Sequence, residues 1–198
     1  MKIIGITGGV GSGKSEVLKW IGELCSCRIL IADEVAHALE MPGAECYRPL
    51  ICLLGEGILA EDGKIDKSKM ASAIFEESTK DRLTQVNAII HPTVKRYILS
   101  EIKAEQDKGI ADYFFIEAAL LIEDGYTEVC DELWYIYADI ETRKRRLRES
   151  RGYTDDKIEG IMKAQSDETA FRRYCSRVID NSGDTAHTID QIKALFKR

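Results

Sequence analysis

Five short apolar runs punctuate the chain, at residues 2–7, 28–32, 113–117, 133–138 and 177–180. Each is short enough for a buried strand, and charged or amphipathic stretches separate most of them. Alternation of this kind predicts an α/β fold with a five-stranded parallel sheet flanked by helices. The interval from 34 to 111 is too long for a loop and carries helical periodicity instead. Met70, Ile74 and Phe75 recur at helical spacing, then Leu83, Val86, Ile89 and Ile90, then Val94, Ile98 and Ile102. It reads as a mostly helical insertion, with turns at Met41-Pro42-Gly43 and Glu61-Asp62-Gly63-Lys64. A second charged insertion follows the fourth run, at 141–163, and opens with the basic stretch Arg143–Arg151.

The first run leads into Gly8-Gly9-Val10-Gly11-Ser12-Gly13-Lys14-Ser15, and Val17, Leu18, Ile21 and Leu24 follow at helical spacing. Strand, glycine-rich turn and helix are the context that a phosphate-binding loop requires. Glycines let successive N–H groups turn inward, and the helix adds its free N–H groups and positive dipole end. Gly9, Gly11, Ser12, Gly13, Lys14, Ser15 and the Glu16 backbone are therefore candidate ATP contacts. Lys14 would reach the β- and γ-phosphates, and the Ser15 hydroxyl would hold Mg²⁺.

Bulk properties narrow the partners. The 198 residues carry a net charge of −6, with a pI of about 5.3, which argues against general nucleic-acid binding. No run is long enough to span a bilayer, and the chain opens directly on a strand, so a cytoplasmic protein is expected. Six cysteines include no C-x-x-C pair, and Cys25 and Cys27 form only a C-x-C spacing. Reduced thiols are expected. His37, His91 and His187 lie far apart and make no metal-ligand pattern.

Four further positions carry candidate chemistry. Asp33 ends the second run, where ligands of doubly wound sheets lie; it reads either as a base for an attacking hydroxyl or as a helix N-cap. His37 follows one turn later and can share its face, although a surface histidine is the plainer reading. Glu117 closes the third run, either near Mg²⁺ or the acceptor, or facing water. Asn181 sits in the last strand-to-turn segment and reads as an adenine contact or a turn former. The arginines of 143–151 read as a solvated helix face, as a nucleic-acid patch, which the overall acidity disfavours, or as a mobile lid that brings guanidinium groups over a triphosphate.

These segments together resemble the bacterial dephospho-coenzyme A kinases from end to end. The resemblance rests on the loop, on Ala32-Asp33-Glu34-Val35-Ala36-His37, and on Asp62-Gly63-Lys64-Ile65-Asp66-Lys67. Ile74-Phe75, Asn87-Ala88-Ile89-Ile90-His91-Pro92, Leu120-Leu121-Ile122-Glu123, Arg146-Leu147, Gln165 and Val178-Ile179-Asp180-Asn181-Ser182-Gly183 continue it. It implies ATP- and Mg²⁺-dependent phosphorylation of the ribose 3′-hydroxyl of dephospho-coenzyme A. Asp33 would then be the general base, Arg146 the lid arginine, and Asn181 a neighbour of adenine. His37, His91, Glu117 and Leu120 would belong to the acceptor side. Residues 1–33, 112–140 and 164–198 would form the nucleotide core, 34–111 the acceptor-binding insertion and 141–163 the lid, in a monomer or weak homo-oligomer. The chain departs from the family pattern at Ile31, Glu16, Ser150 and the Glu117-Ala118-Ala119 turn. A nucleoside or nucleotide kinase on the same core is the alternative. A GTP switch is disfavoured because no Asn-Lys-x-Asp occurs.

Overall fold

In the computed structural model, residues 1–75, 81–118, 121–164 and 168–196 are described. Leu120 and Gln165 lie outside them. The strands are β1 (Lys2–Thr7), β2 (Cys27–Ile31), β3 (Tyr113–Glu117), β4 (Glu132–Tyr137) and β5 (Arg177–Asp180). They form one parallel sheet in the order β2-β3-β1-β4-β5. Ile6 pairs with Glu117 on one side of β1 and with Trp134 on the other. The apolar runs fit this order. The three inner strands are buried along most of their length, whereas β2 and β5 at the edges are only partly buried. A strand covered on both faces needs a nearly continuous apolar run.

Between the strands lie α1 (Lys14–Leu24), α2 (Ala32–Leu39), α3 (Tyr47–Leu54), α4 (Lys67–Ile74) and α5 (Arg82–Lys108). After β4 come α6 (Ile140–Arg151), α7 (Asp155–Ala164) and α8 (Glu168–Tyr174), and α9 (Thr185–Phe196) follows β5. The chain divides into two compact units. One comprises residues 1–30 and 105–198, and the other residues 31–104. In the first, Ile4, Ile6, Val17, Leu18, Ile21, Phe115, Trp134, Ile136, Ile179 and Ile192 form a core. At Gly5 two leucines take the space of a side chain, because a Cβ there would stand 2.6 Å from Leu133 Cδ2 and 2.9 Å from Leu121 Cδ2. Leu24, expected on the buried face of α1, is 38% exposed at the helix end, and Trp20 packs against the core instead.

The second unit has its own core of Cys46, Leu50, Ile58, Met70 and Val86. Asp66 caps α4, accepting from the N–H groups of Ser68 and Lys69. The His91-Pro92 pair lies inside α5. Proline removes one backbone donor there. Thr93 directs its hydroxyl back to the Ile89 carbonyl at 2.8 Å, and the helix continues.

Candidate functional site

β1 ends at the centre of the sheet, with β3 and β4 on either side, so the chain leaves it where the crossovers part. That is where open α/β sheets bind ligands. The glycine loop fills this position and enters α1 through Gly13, whose φ of 87° is left-handed. Gly11 shares that conformation, with φ 82°. Glycine alone adopts it without strain. Ser12 is 1% exposed. Its hydroxyl is the buried side-chain oxygen that has no hydrogen-bond partner among the described residues. An unsatisfied buried hydroxyl is unfavourable, and a phosphate oxygen in the loop would satisfy it.

Lys14 folds back over the loop. Its Nζ donates to the Gly8 carbonyl at 3.0 Å and lies 3.5 Å from Glu117 Oε1. Glu117 is 8% exposed, which removes the reading of a strand end facing water. Ser15 and Glu16 are exposed on the first turn of α1, where backbone N–H groups lack helical acceptors.

Asn181 does more than form a turn. It is 2% exposed, and Nδ2 donates to the Ser12 carbonyl at 2.8 Å. Oδ1 accepts from Thr188 Oγ1 at 3.1 Å, and the backbone N–H donates to the Tyr137 carbonyl. Arg146 joins the same point, with Nη1 donating to Ser12 O at 3.2 Å and Nη2 to Asn181 O at 2.9 Å. Both side chains therefore brace the loop backbone. Arg143, singled out in the sequence only as part of a basic run, donates from Nε to the Val10 carbonyl at 2.9 Å. Its signal was available in the spacing, because positions 143 and 146 share a face of α6.

α6 is itself anchored beside the loop. Asp139 caps it by accepting from the Thr142 N–H at 2.9 Å and the Thr142 hydroxyl at 2.8 Å, and these bonds hold the Asp139 carboxyl below its usual range. Gly152 closes the helix in the left-handed conformation. Beyond the turn, Asp155 accepts from Arg148 Nε at 2.7 Å, and Lys157 Nζ sits 3.9 Å from the Tyr153 ring centroid.

In the second unit, Asp33 is exposed in the first turn of α2. The cap position belongs to Ile31, which makes no side-chain cap, so Asp33 is not the N-cap. His37, one turn on, lies with Nδ1 3.8 Å from Glu40 Oε2. His91 is partly buried within α5. The six cysteines are free. Burial pushes the Cys25 thiol up to about 12, which makes the C-x-C spacing a poor redox pair. No described helix is long and apolar enough to cross a membrane.

Known proteins agree with the fold. The dephospho-CoA kinase family model matches residues 2–187. A dephospho-CoA kinase of Geobacter sulfurreducens is 38% identical, over all of this chain and 98% of the relative. One from Carboxydothermus hydrogenoformans is 34% identical, over all of this chain and 94% of the relative. Among solved structures, TT1252 from Thermus thermophilus superposes with a TM-score of 0.81 at 27% identity, covering 98% of this chain and 95% of that one. Shikimate kinase from Bacteroides thetaiotaomicron shares the fold alone, with a TM-score of 0.54 at 13% identity over 98% and 95% of the two chains. With a family match across nearly the whole length and full-length relatives above 30% identity, the chain belongs to the dephospho-CoA kinase family.

Proposed function

We propose a division of labour for the reaction of this family, in which the loop and its braces hold ATP and Asp33 activates the acceptor. The protein is a phosphotransferase that moves the γ-phosphoryl group of ATP to the ribose 3′-hydroxyl of dephospho-CoA, giving CoA and ADP. The observation that carries the division is the pairing of Lys14 with Glu117 over a loop that keeps one buried hydroxyl, Ser12, without a partner. The carboxylate holds the ammonium over the loop before nucleotide arrives, so little reorganisation is needed. Phosphoryl transfer asks the protein mainly for positioning and charge stabilisation.

Gly9, Gly11, Gly13 and the first turn of α1 would offer N–H groups to the phosphates, with Glu16 contributing its backbone. Lys14 would neutralise charge on the β- and γ-oxygens. Arg146 would add its charge from behind the loop, and Asn181 would fix the loop against β5. Mg²⁺ fits this donor set. Among the described residues no group of three or more His, Cys, Asp or Glu could cage a metal, and Mg²⁺ is usually held by phosphates, waters and one or two side chains. Ser15 would be the protein ligand. The ion would supply charge neutralisation on the phosphate oxygens.

Asp33 would take the proton from the 3′-hydroxyl as its oxygen attacks in line, which a carboxylate at hydrogen-bond distance can do. Its exposure and its freedom from a capping role support this. His37, His91 and Glu117 would contribute to acceptor binding in the same reading, as would Leu120, which lies outside the described residues. Residues 34–111 would form the acceptor-binding part, and 141–163 a lid. Six free cysteines favour a reducing, cytoplasmic setting.

The test is ADP release with ATP, Mg²⁺ and dephospho-CoA, run beside adenosine, AMP, CMP and no acceptor. Turnover with dephospho-CoA alone is the expected result. Turnover with a nucleoside or nucleotide would reassign the acceptor, and release without any acceptor would make the protein an ATPase.

A further inference from the structure

We infer that Arg143 is a positioning residue for ATP, acting through the backbone of the loop. The inference rests on the reading of that loop as the ATP phosphate site.

A planar trans peptide carries the C=O of one residue and the N–H of the next in opposite directions. Whatever fixes the Val10 carbonyl therefore fixes the Gly11 N–H, and whatever fixes the Ser12 carbonyl fixes the Gly13 N–H. Ser12 O is held twice, by Asn181 and by Arg146. Val10 O is held by Arg143 Nε at 2.9 Å. The residues that follow, Gly11 and Gly13, have φ of 82° and 87°. A glycine offers little resistance to rotation of the peptide before it. Orientation of these N–H groups must then come from outside the loop, and α6 supplies it from two side chains three positions apart.

Gly9 gives an independent indication. It is not among the glycines with positive φ, so its backbone would accept an alanine. A Cβ there would nevertheless lie 2.4 Å from Arg143 Nη2 and 2.5 Å from Cζ. The guanidinium occupies the space of the missing side chain. At Gly11 the corresponding Cβ would lie 2.9 Å from the Arg143 carbonyl oxygen, so α6 meets the loop with its backbone as well. Arg143 thus lies flat on one turn of the loop and fastens the next.

The experiment compares Arg143→Ala, Arg143→Lys, Gly9→Ala and the double variant Gly9→Ala/Arg143→Ala in the full chain. It reads KM for each substrate, kcat, and the Kd of a non-hydrolysable ATP analogue. Loss of one charged hydrogen bond should raise KM and Kd for ATP about tenfold. KM for dephospho-CoA and kcat at saturating ATP should stay within about threefold, because the acceptor and the transferring group are not what Arg143 orders. Arg143→Lys should recover part of the loss, since an ammonium can still reach the Val10 carbonyl. Gly9→Ala should cost about as much as Arg143→Ala by displacing the guanidinium, and the double variant should be no worse than Arg143→Ala alone. Multiplying losses in the double variant would overturn the inference, as would unchanged ATP affinity in Arg143→Ala. If Arg143→Ala fails to fold, Arg143→Lys and Gly9→Ala decide alone, and wild-type ATP affinity in both would overturn it. Wild-type binding of the analogue and its loss in Lys14→Ala test the loop reading separately. A wild type that binds no analogue would sink that reading and this one with it.

Discussion

The side-chain amide of Asn181 donates to the carbonyl of Ser12 at 2.8 Å, joining the end of β5 to the phosphate loop across 169 positions of chain. The bond is buried, and the other end of the amide accepts from Thr188 on α9. Gln191 on the same helix receives the Asp180 N–H at 2.9 Å and returns a bond to the Asp180 carbonyl at 2.8 Å. The last strand and last helix therefore form a fixed wall against which the loop rests.

Asn181→Ala should remove one loop fastener and one acceptor for Thr188. Breaking a buried hydrogen bond this way costs about 1–3 kcal/mol. Asn181→Asp should weaken ATP binding more than Asn181→Ala, because it turns a carboxylate oxygen toward the Ser12 carbonyl. Denaturant midpoints and nucleotide titrations check both. Wild-type nucleotide affinity in Asn181→Asp would mean that the loop does not need this wall.

Lys14→Ala should weaken ATP binding and lower turnover by at least about 10²–10³-fold, the scale of losing one preorganised charge donor. It also removes the cation beside Glu117, a side chain that is only 8% exposed. Leaving a buried carboxylate without that cation is destabilising, so Lys14→Ala/Glu117→Gln should be more stable than Lys14→Ala while remaining inactive. If the two variants melt together, Glu117 draws its stability from elsewhere.

Much of this arrangement is legible in the chain before folding. The five apolar runs coincide with the strands to within about one residue, because inner parallel strands are covered on both faces and must be apolar throughout. Gly8–Ser15 is readable because its chemistry is local in sequence. What escapes is everything that depends on which distant segments meet. The three-residue spacing to Arg146 sets Arg143 apart from Arg145, which is exposed, but nothing in a basic run names the Val10 carbonyl as its partner. Nothing in Asn181 says that its amide will be buried against Ser12. Glu117 leaves a site position and a solvent-facing end both open until Lys14 is found beside its buried carboxylate. Nor does Pro92 announce that it lies inside α5, a place that proline seldom takes.

Asp139 links the acid stability of α6 to the loop. Its carboxyl is held below the usual value first by the Thr142 N–H and then by the Thr142 hydroxyl. A depressed carboxylate stabilises the fold above the unfolded value, and the contribution disappears as pH falls through the folded one. Asp139→Ala should therefore be less stable than wild type at pH 7, and the gap should narrow below about pH 4. Thermal melts of both proteins from pH 7 to pH 3.5 measure this. A gap independent of pH would mean that the charge on Asp139 plays no part in the cap.

Asp33→Asn separates chemistry from binding. The substitution keeps shape and nearly keeps volume but removes the basic oxygen. If Asp33 accepts the proton of the attacking hydroxyl, KM for both substrates should change little while kcat falls by roughly 10²–10⁴, the range for losing a general base. The cap of α2 lies at Ile31, so stability should be nearly unchanged, and a loss of rate would not be a loss of fold. Full kcat in Asp33→Asn would leave proton removal to solvent or to the transferring phosphoryl oxygens, with positioning alone carrying the reaction.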